Sequence, residues 1–141
     1  MELTFQGKSV VKGAARGLAL VSAEPLSFWG GYDYHTGEIT DRRHPLSGSI
    51  AAGRVLALPF TRGSSTTTVI LLEAVHLGTA PAAILTTGVD AFFALASIVA
   101  AEMYASPVPI VALSPEDFAR LRSGDEVEVG EDGVLCVWPA S

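Results

Sequence analysis

Cysteine occurs once in the 141 residues, at position 136, so no intrachain disulfide can form and one thiolate cannot by itself hold a metal cluster. Its setting in "GVLCVW" reads as strand core. Basic residues are also scarce, with nine Lys and Arg against 15 Asp and Glu and a net charge of −6. Nucleic-acid binding needs a basic stripe that releases counterions, and only the short pairs Arg42–Arg43 and Arg120/Arg122 are present, so nucleic acid is not an expected partner. The deficit is uneven: residues 1–62 hold seven bases and five acids, the remainder two bases and ten acids. Long apolar runs are missing as well. The charge-free stretch between Glu73 and Asp90 falls short of the ~20 apolar residues that span a bilayer. The opening "MELTFQGKSVV" lacks the basic region, apolar run and cleavage site of a signal peptide, so no membrane association and a cytoplasmic location are expected.

Several catalytic and binding signatures are absent too. Neither G-x-x-x-x-G-K-[ST] nor G-x-G-x-x-G occurs, which leaves nucleotide binding unsupported, and there is no G-x-S-x-G elbow. "DYHTGE" and "DRRH" scatter oxygen and nitrogen ligands without H-x-x-x-H or paired-cysteine spacing and read as solvated loops, so no metal site is expected on this chain. A Ser-His-Asp hydrolase would have to recruit His35, His44 or His76. His76 falls in a mostly apolar helix, and no spacing favours the other two.

What is present reads as a single α/β domain over residues 1–141. Nearly half of the chain is apolar (49%) and only 17% is charged, a composition for a folded core rather than disorder. No repeat or linker divides it. "LTFQ", "SVV" and "GLALVS" in residues 2–22 alternate as short strands and suggest a small antiparallel region. Glu24 to Gly53 is a long excursion dense in glycine, aromatic and charged residues, of a length that points to function or docking. "RVLALP" then reads as a strand and "TVILLEAVHLG" as a helix closed by Gly78, with Val69, Leu72 and Val75 or His76 sharing a face. "AAILT" is a second strand, and "VDAFFALASIVAAEMY" a second helix with Asp90 as N-cap. "VPIVAL" is a third strand, and "SPEDFARLRSG" a third helix with Ser114 as N-cap, Pro115 at its first position and glycine at its end. Strand and helix alternating in this way imply parallel pairing. "DEVEVGEDGVLCVWP" is a hairpin turning at Asp132-Gly133, so the fold expected is a mixed sheet or barrel with helices packed on it.

The chemistry concentrates in "PFTRGSSTTTVI", residues 59–70, where a strand ends and a helix begins. The first N–H groups of a helix have no partners within it, and with the helix dipole they favour a carboxylate or phosphate. Arg62 adds a bidentate fork, and Ser64 and Ser65 lie nearest that field. The same residues also suit a plain strand-to-helix turn in which the hydroxyls cap the helix. Both readings stay open on the residues alone.

"SFWGG" at Ser27 to Gly31 with its trailing "TGEI", followed by "RGSS" at Arg62 to Ser65 and "GTAPAAIL", resembles the swivel domain or small subunit of the aconitase X family over nearly the whole chain. The resemblance implies a swivelling β/β/α domain that closes over the substrate. It implies a partner too, a large subunit whose cysteines carry an iron–sulfur cluster, to which the lone cysteine here is suited. The implied activity is dehydration of a small anionic hydroxy acid, cis-3-hydroxy-L-proline or mevalonate 5-phosphate, and the alanine-rich, lysine-poor composition leans towards the first. In such hydro-lyases the cluster iron acts on the departing hydroxyl while a swivel-domain serine takes the proton α to the carboxylate. The match gives that role to Ser64, with Arg62 holding a carboxylate and the Gly63 and Ser65 N–H groups completing an anion pocket. Aconitase itself follows its paired serines with an arginine and an acid. Here Thr66, Thr67 and Thr68 stand in those places, so a second cation is expected from the large subunit. A reading of another class is a noncatalytic anion-binding or regulatory module.

Overall fold

The computed structural model describes residues 2–61 and 66–140. Eight strands form one mixed sheet: β1 (Leu3–Gln6), β2 (Lys8–Val11), β3 (Ala15–Val21), β6 (Val55–Ala57), β7 (Ala83–Thr86), β8 (Ile110–Ala112), β9 (Glu126–Val129) and β10 (Val134–Trp138). Their order is β1-β10-β9-β3-β6-β7-β8-β2, so the two edge strands are consecutive in the chain and the sheet nearly closes on itself. Gly7 makes the join. Its N–H donates to the Gly133 carbonyl at 2.9 Å, and a Cβ at this position would overlap the Val111 side chain.

β3 is shared between two kinds of pairing. Residues Ala15 to Leu18 pair antiparallel with β9, whereas Ala19 to Val21 pair parallel with β6. β6, β7 and β8 continue in parallel, linked by α1 (Thr66–Leu77) and α2 (Ala91–Tyr104). The β9-β10 hairpin turns through Gly133, as its Asp-Gly pair implies. The small antiparallel region expected at the N-terminus is not formed: β1, β2 and β3 pair with β10, β8 and β9, not with one another.

Alternation along the central strands serves two cores. Val55 and Ala57 face a cluster inside the curved sheet with Val127, Leu135 and Val137, while Leu56 and Leu58 face a cluster shared with α1 and α2. A strand buried on both faces reads as a continuous apolar run, which "VLAL" is. β10 obeys the same alternation, and it places Leu135 and Val137 inside but Cys136 on the partly exposed outer face rather than in the core.

α1 ends as expected at Gly78, whose φ of +77° lets Thr79 N–H reach the Ala74 carbonyl at 2.8 Å. Its buried face is Thr67, Ile70, Leu71 and Ala74, and Val69 points to solvent, contrary to the face read from the sequence. Apolar residues fall on more than one side of the helix, so several faces could serve and packing against α2 chooses among them. The third helix is a single turn, α3 (Pro115–Phe118), started by Ser114 Oγ accepting from Asp117 N–H at 3.2 Å. It stops well before Gly124. Leu121 turns inward and Arg122 Nη1 donates to the Ala119 carbonyl, which holds the following residues in a non-helical path.

The excursion is integral to the helix-side core. A two-stranded hairpin, β4 (Tyr32–Asp33) and β5 (Glu38–Ile39), carries it, and Leu26, Phe28, Ile39 and Ala51 are fully buried. Phe28 stacks on Tyr32 at 4.8 Å and meets Phe93 of α2 edge-on at 5.3 Å. The tyrosine hydroxyl donates to the Thr79 carbonyl at 2.7 Å, and burial pushes its acidity well below that of a free phenol.

Candidate functional site

The four parallel strands β3, β6, β7 and β8 share one carboxyl edge, the place where α/β sheets bind ligands. Both long helices begin there, α1 after β6 and α2 after β7, so two positive dipole ends converge on it. They differ in charge balance. α2 is capped by Asp90, whose Oδ1 accepts from the Phe92 and Phe93 N–H groups at 3.0 and 3.2 Å. The first turn of α1 contains no acidic residue.

Asp90 does more than cap. Its second oxygen, Oδ2, accepts from Thr61 N–H at 2.7 Å and from Thr61 Oγ1 at 2.9 Å, and both residues are buried. Thr87 adds two bonds, from its N–H and its hydroxyl, to the Pro59 carbonyl at 3.2 and 3.1 Å. Leu26 forms a parallel bridge with Thr61 from the other side. The chain is therefore fixed to the edge immediately before residue 62.

Arg62, Gly63, Ser64 and Ser65 themselves lie outside the described residues. The chain on their far side is fixed as firmly. Thr67 is buried, and Thr68 Oγ1 donates to the Phe92 carbonyl of α2 at 3.2 Å. The Thr68 hydroxyl is thus committed to helix packing. The Thr61–Asp90 pairing was not legible as such: Asp90 announces itself in sequence only as a helix cap, 29 residues from the threonine it binds.

Residues 4–137 match the family described as the aconitase X swivel domain. The chain belongs to that family. It is 46% identical over 116 residues to a cis-3-hydroxy-L-proline dehydratase of Pseudomonas aeruginosa, an overlap of 82% of this chain and 20% of that protein. It is 36% identical over 132 residues to the phosphomevalonate dehydratase small subunit of Pyrococcus furiosus, covering 93% of this chain and 92% of that subunit. The swivel domain also superposes on the crystal structure of Thermococcus kodakaraensis aconitase X in its holo-form, with a TM-score of 0.86 and 29% identity over 97% of this chain and 99% of that one. It therefore spans about a fifth of the length of the hydroxyproline dehydratase and nearly all of the phosphomevalonate dehydratase small subunit.

Among the described residues, the histidines of the swivel domain are not brought together on a nucleophile. His44 is buried and structural: Nδ1 accepts from Leu46 N–H at 3.1 Å, so Nε2 carries the hydrogen it donates to the Glu24 carbonyl at 3.2 Å. His76 is exposed and lies against Tyr104, and His35 is exposed beside Tyr34. A metal cluster finds no ligand set among the described residues, where no group of three or more His, Cys, Asp and Glu is close enough to hold an ion. The Cys136 thiol is pushed up in pKa by burial and by the neighbouring Glu2, which disfavours the thiolate a cluster would need. The residues described here do not fit a resident iron–sulfur cluster.

The rim of the edge is apolar. Trp29 is 68% exposed on a turn tied by Gly31 and Tyr32 N–H groups to the Phe28 carbonyl. Phe60 and Val89 stand directly before the Thr61 and Asp90 anchors, Val69 follows Thr68, and Leu95 and Ile98 continue along α2. These six are the majority of the ten exposed large apolar side chains among the described residues. These exposed apolar side chains are the candidates for an interaction surface.

Proposed function

We propose that the chain is the small, swivelling subunit of a hydro-lyase that dehydrates a small anionic hydroxy acid, and that it works only with a large subunit carrying the iron–sulfur cluster. The observation that supports this reading is the pair of fixed flanks at the carboxyl edge, Thr61 on Asp90 and Thr68 on the Phe92 carbonyl, between which the "RGSS" residues fall in the chain. On this reading Arg62 and the Gly63 and Ser65 N–H groups receive the substrate carboxylate. Ser64, as the alkoxide that the start of α1 favours, takes the proton from the adjacent carbon and becomes the neutral hydroxyl. The electron pair left on that carbon forms the new double bond as the hydroxyl leaves. Hydroxyl departure is assigned on this reading to the large subunit, which would carry the cluster.

The proposed substrate is cis-3-hydroxy-L-proline, supported by the 46% identity to the Pseudomonas enzyme. Mevalonate 5-phosphate is the second reading, supported by the near-complete overlap with the Pyrococcus small subunit. The test is to purify the native complex through a tag on this chain and assay both compounds. A stable complex with a brown, cysteine-bearing chain that dehydrates one of them is the expected result. A chain that purifies alone, or a complex inert to both, overturns the reading in favour of a noncatalytic anion-binding module.

Two variants probe the parts. Arg62→Lys replaces a two-pronged donor by a point charge and is expected to raise KM roughly tenfold, the loss of one charge-assisted hydrogen bond, with a smaller change in kcat. An unchanged KM contradicts carboxylate contact. Trp29→Ser removes an exposed side chain, so the isolated chain should keep its stability within about 0.5 kcal/mol. Assembly should weaken by about 2 kcal/mol, the cost of an interfacial anchor, as read by titration calorimetry with the large subunit. Undiminished affinity would take Trp29 out of the interface.

A further inference from the structure

We infer that Asp90 is a positioning residue of this site, joining the segment that carries Arg62 to Ser65 to the first turn of α2. The inference rests on the functional reading above, and it assigns a role to a side chain that need not touch substrate. One carboxylate serves four donors in two directions. Oδ1 takes the Phe92 and Phe93 N–H groups of α2, and Oδ2 takes the Thr61 N–H and hydroxyl. The residue is buried, so these bonds do not compete with bulk water.

Two consequences follow from that division. The backbone entering the segment is held at Thr61 by a charge-assisted pair, and the chain leaving it is held by Thr68 on the Phe92 carbonyl, so both ends are referenced to the same turn of α2. The negative charge also lies at the start of α2, whereas the first turn of α1 carries no acidic residue.

Capping and clamping can be separated by substitution. Asparagine has one oxygen and one NH2 group, so it can accept on the helix side or the Thr61 side but not both. Serine is a good N-cap, yet its short side chain has no second oxygen for Thr61. The Thr87 bonds to Pro59 and the Leu26 bridge remain in every variant, so the edge keeps two other supports. In the assembled protein Asp90→Ala, Asp90→Ser and Asp90→Asn are expected to lower kcat at least tenfold, with KM changing less. Asp90→Ser and Asp90→Asn should recover most of the thermal stability that Asp90→Ala loses. Amide hydrogen exchange at Thr61, measured on the full chain alone, should be at least tenfold faster in the serine variant. If turnover recovers together with stability, Asp90 is only a helix cap and the inference is overturned. Unchanged Thr61 exchange overturns it as well. Should the wild-type complex dehydrate neither substrate, the functional reading fails on its own, and Thr61 exchange still decides whether Asp90 holds the segment.

Discussion

Ser64→Ala in the assembled protein is expected to lower turnover by roughly three orders of magnitude, within the range set by removal of a general base, and to leave assembly unchanged. Assembly should survive because the bonds that fix both flanks, Thr61 to Asp90 and Thr68 to Phe92, do not involve Ser64. The loss should fall on kcat, since a proton acceptor acts in the transition state whereas Arg62 and the backbone N–H groups also bind the ground state. Steady-state kinetics on the purified complex, with cluster content measured in parallel, separate a missing base from a damaged partner. Turnover within tenfold of wild type would move the base to another residue.

Phe28→Ala is expected to produce the largest stability loss of any single change in the excursion, about 3–5 kcal/mol, as for other large-to-small changes of a buried aromatic. The ring is fully buried, stacked on Tyr32 with an interplanar angle of 1° and set edge-on against Phe93. Each such pair adds about 0.5–1.5 kcal/mol beyond burial. Phe93 also donates its N–H to Asp90, so the cavity opens beside the carboxylate that holds Thr61. Denaturant unfolding of the isolated chain reads the effect directly. A loss under about 1 kcal/mol would make the excursion a peripheral lid rather than part of the core.

Local signals were legible where local physics decides. Asp90 and Ser114 cap the helices they precede in sequence, Gly78 closes α1, and the Asp132-Gly133 turn joins β9 to β10. Contacts distant in sequence were not. β1 and β10 pair Leu3 with Val137, and no pattern within "LTFQ" names that partner. The face of α1 was misread because apolar residues in Val69 to Val75 fall on several sides, Glu73 being its one charge, and only contact with α2 separates buried Ile70 from exposed Val69. "SFWGG" is divided by its own fold: Phe28 turns into the core and Trp29 outward, a choice made by the turn at Gly30 and not by residue type. At the site, residue types single out "RGSS" as an anion pocket or a plain helix cap. The anchor that holds it was not legible, since Thr61 and Asp90 meet only once β6 and β7 are paired.

The most direct test of the whole account is a crystal structure of the assembled protein with an unreactive hydroxy-acid analogue bound. The account predicts the Ser64 oxygen about 3–3.5 Å from the carbon next to the carboxylate, near-attack distance, with Arg62 on the carboxylate itself. A Ser64 hydroxyl turned back to cap α1, with the analogue bound elsewhere, would contradict it.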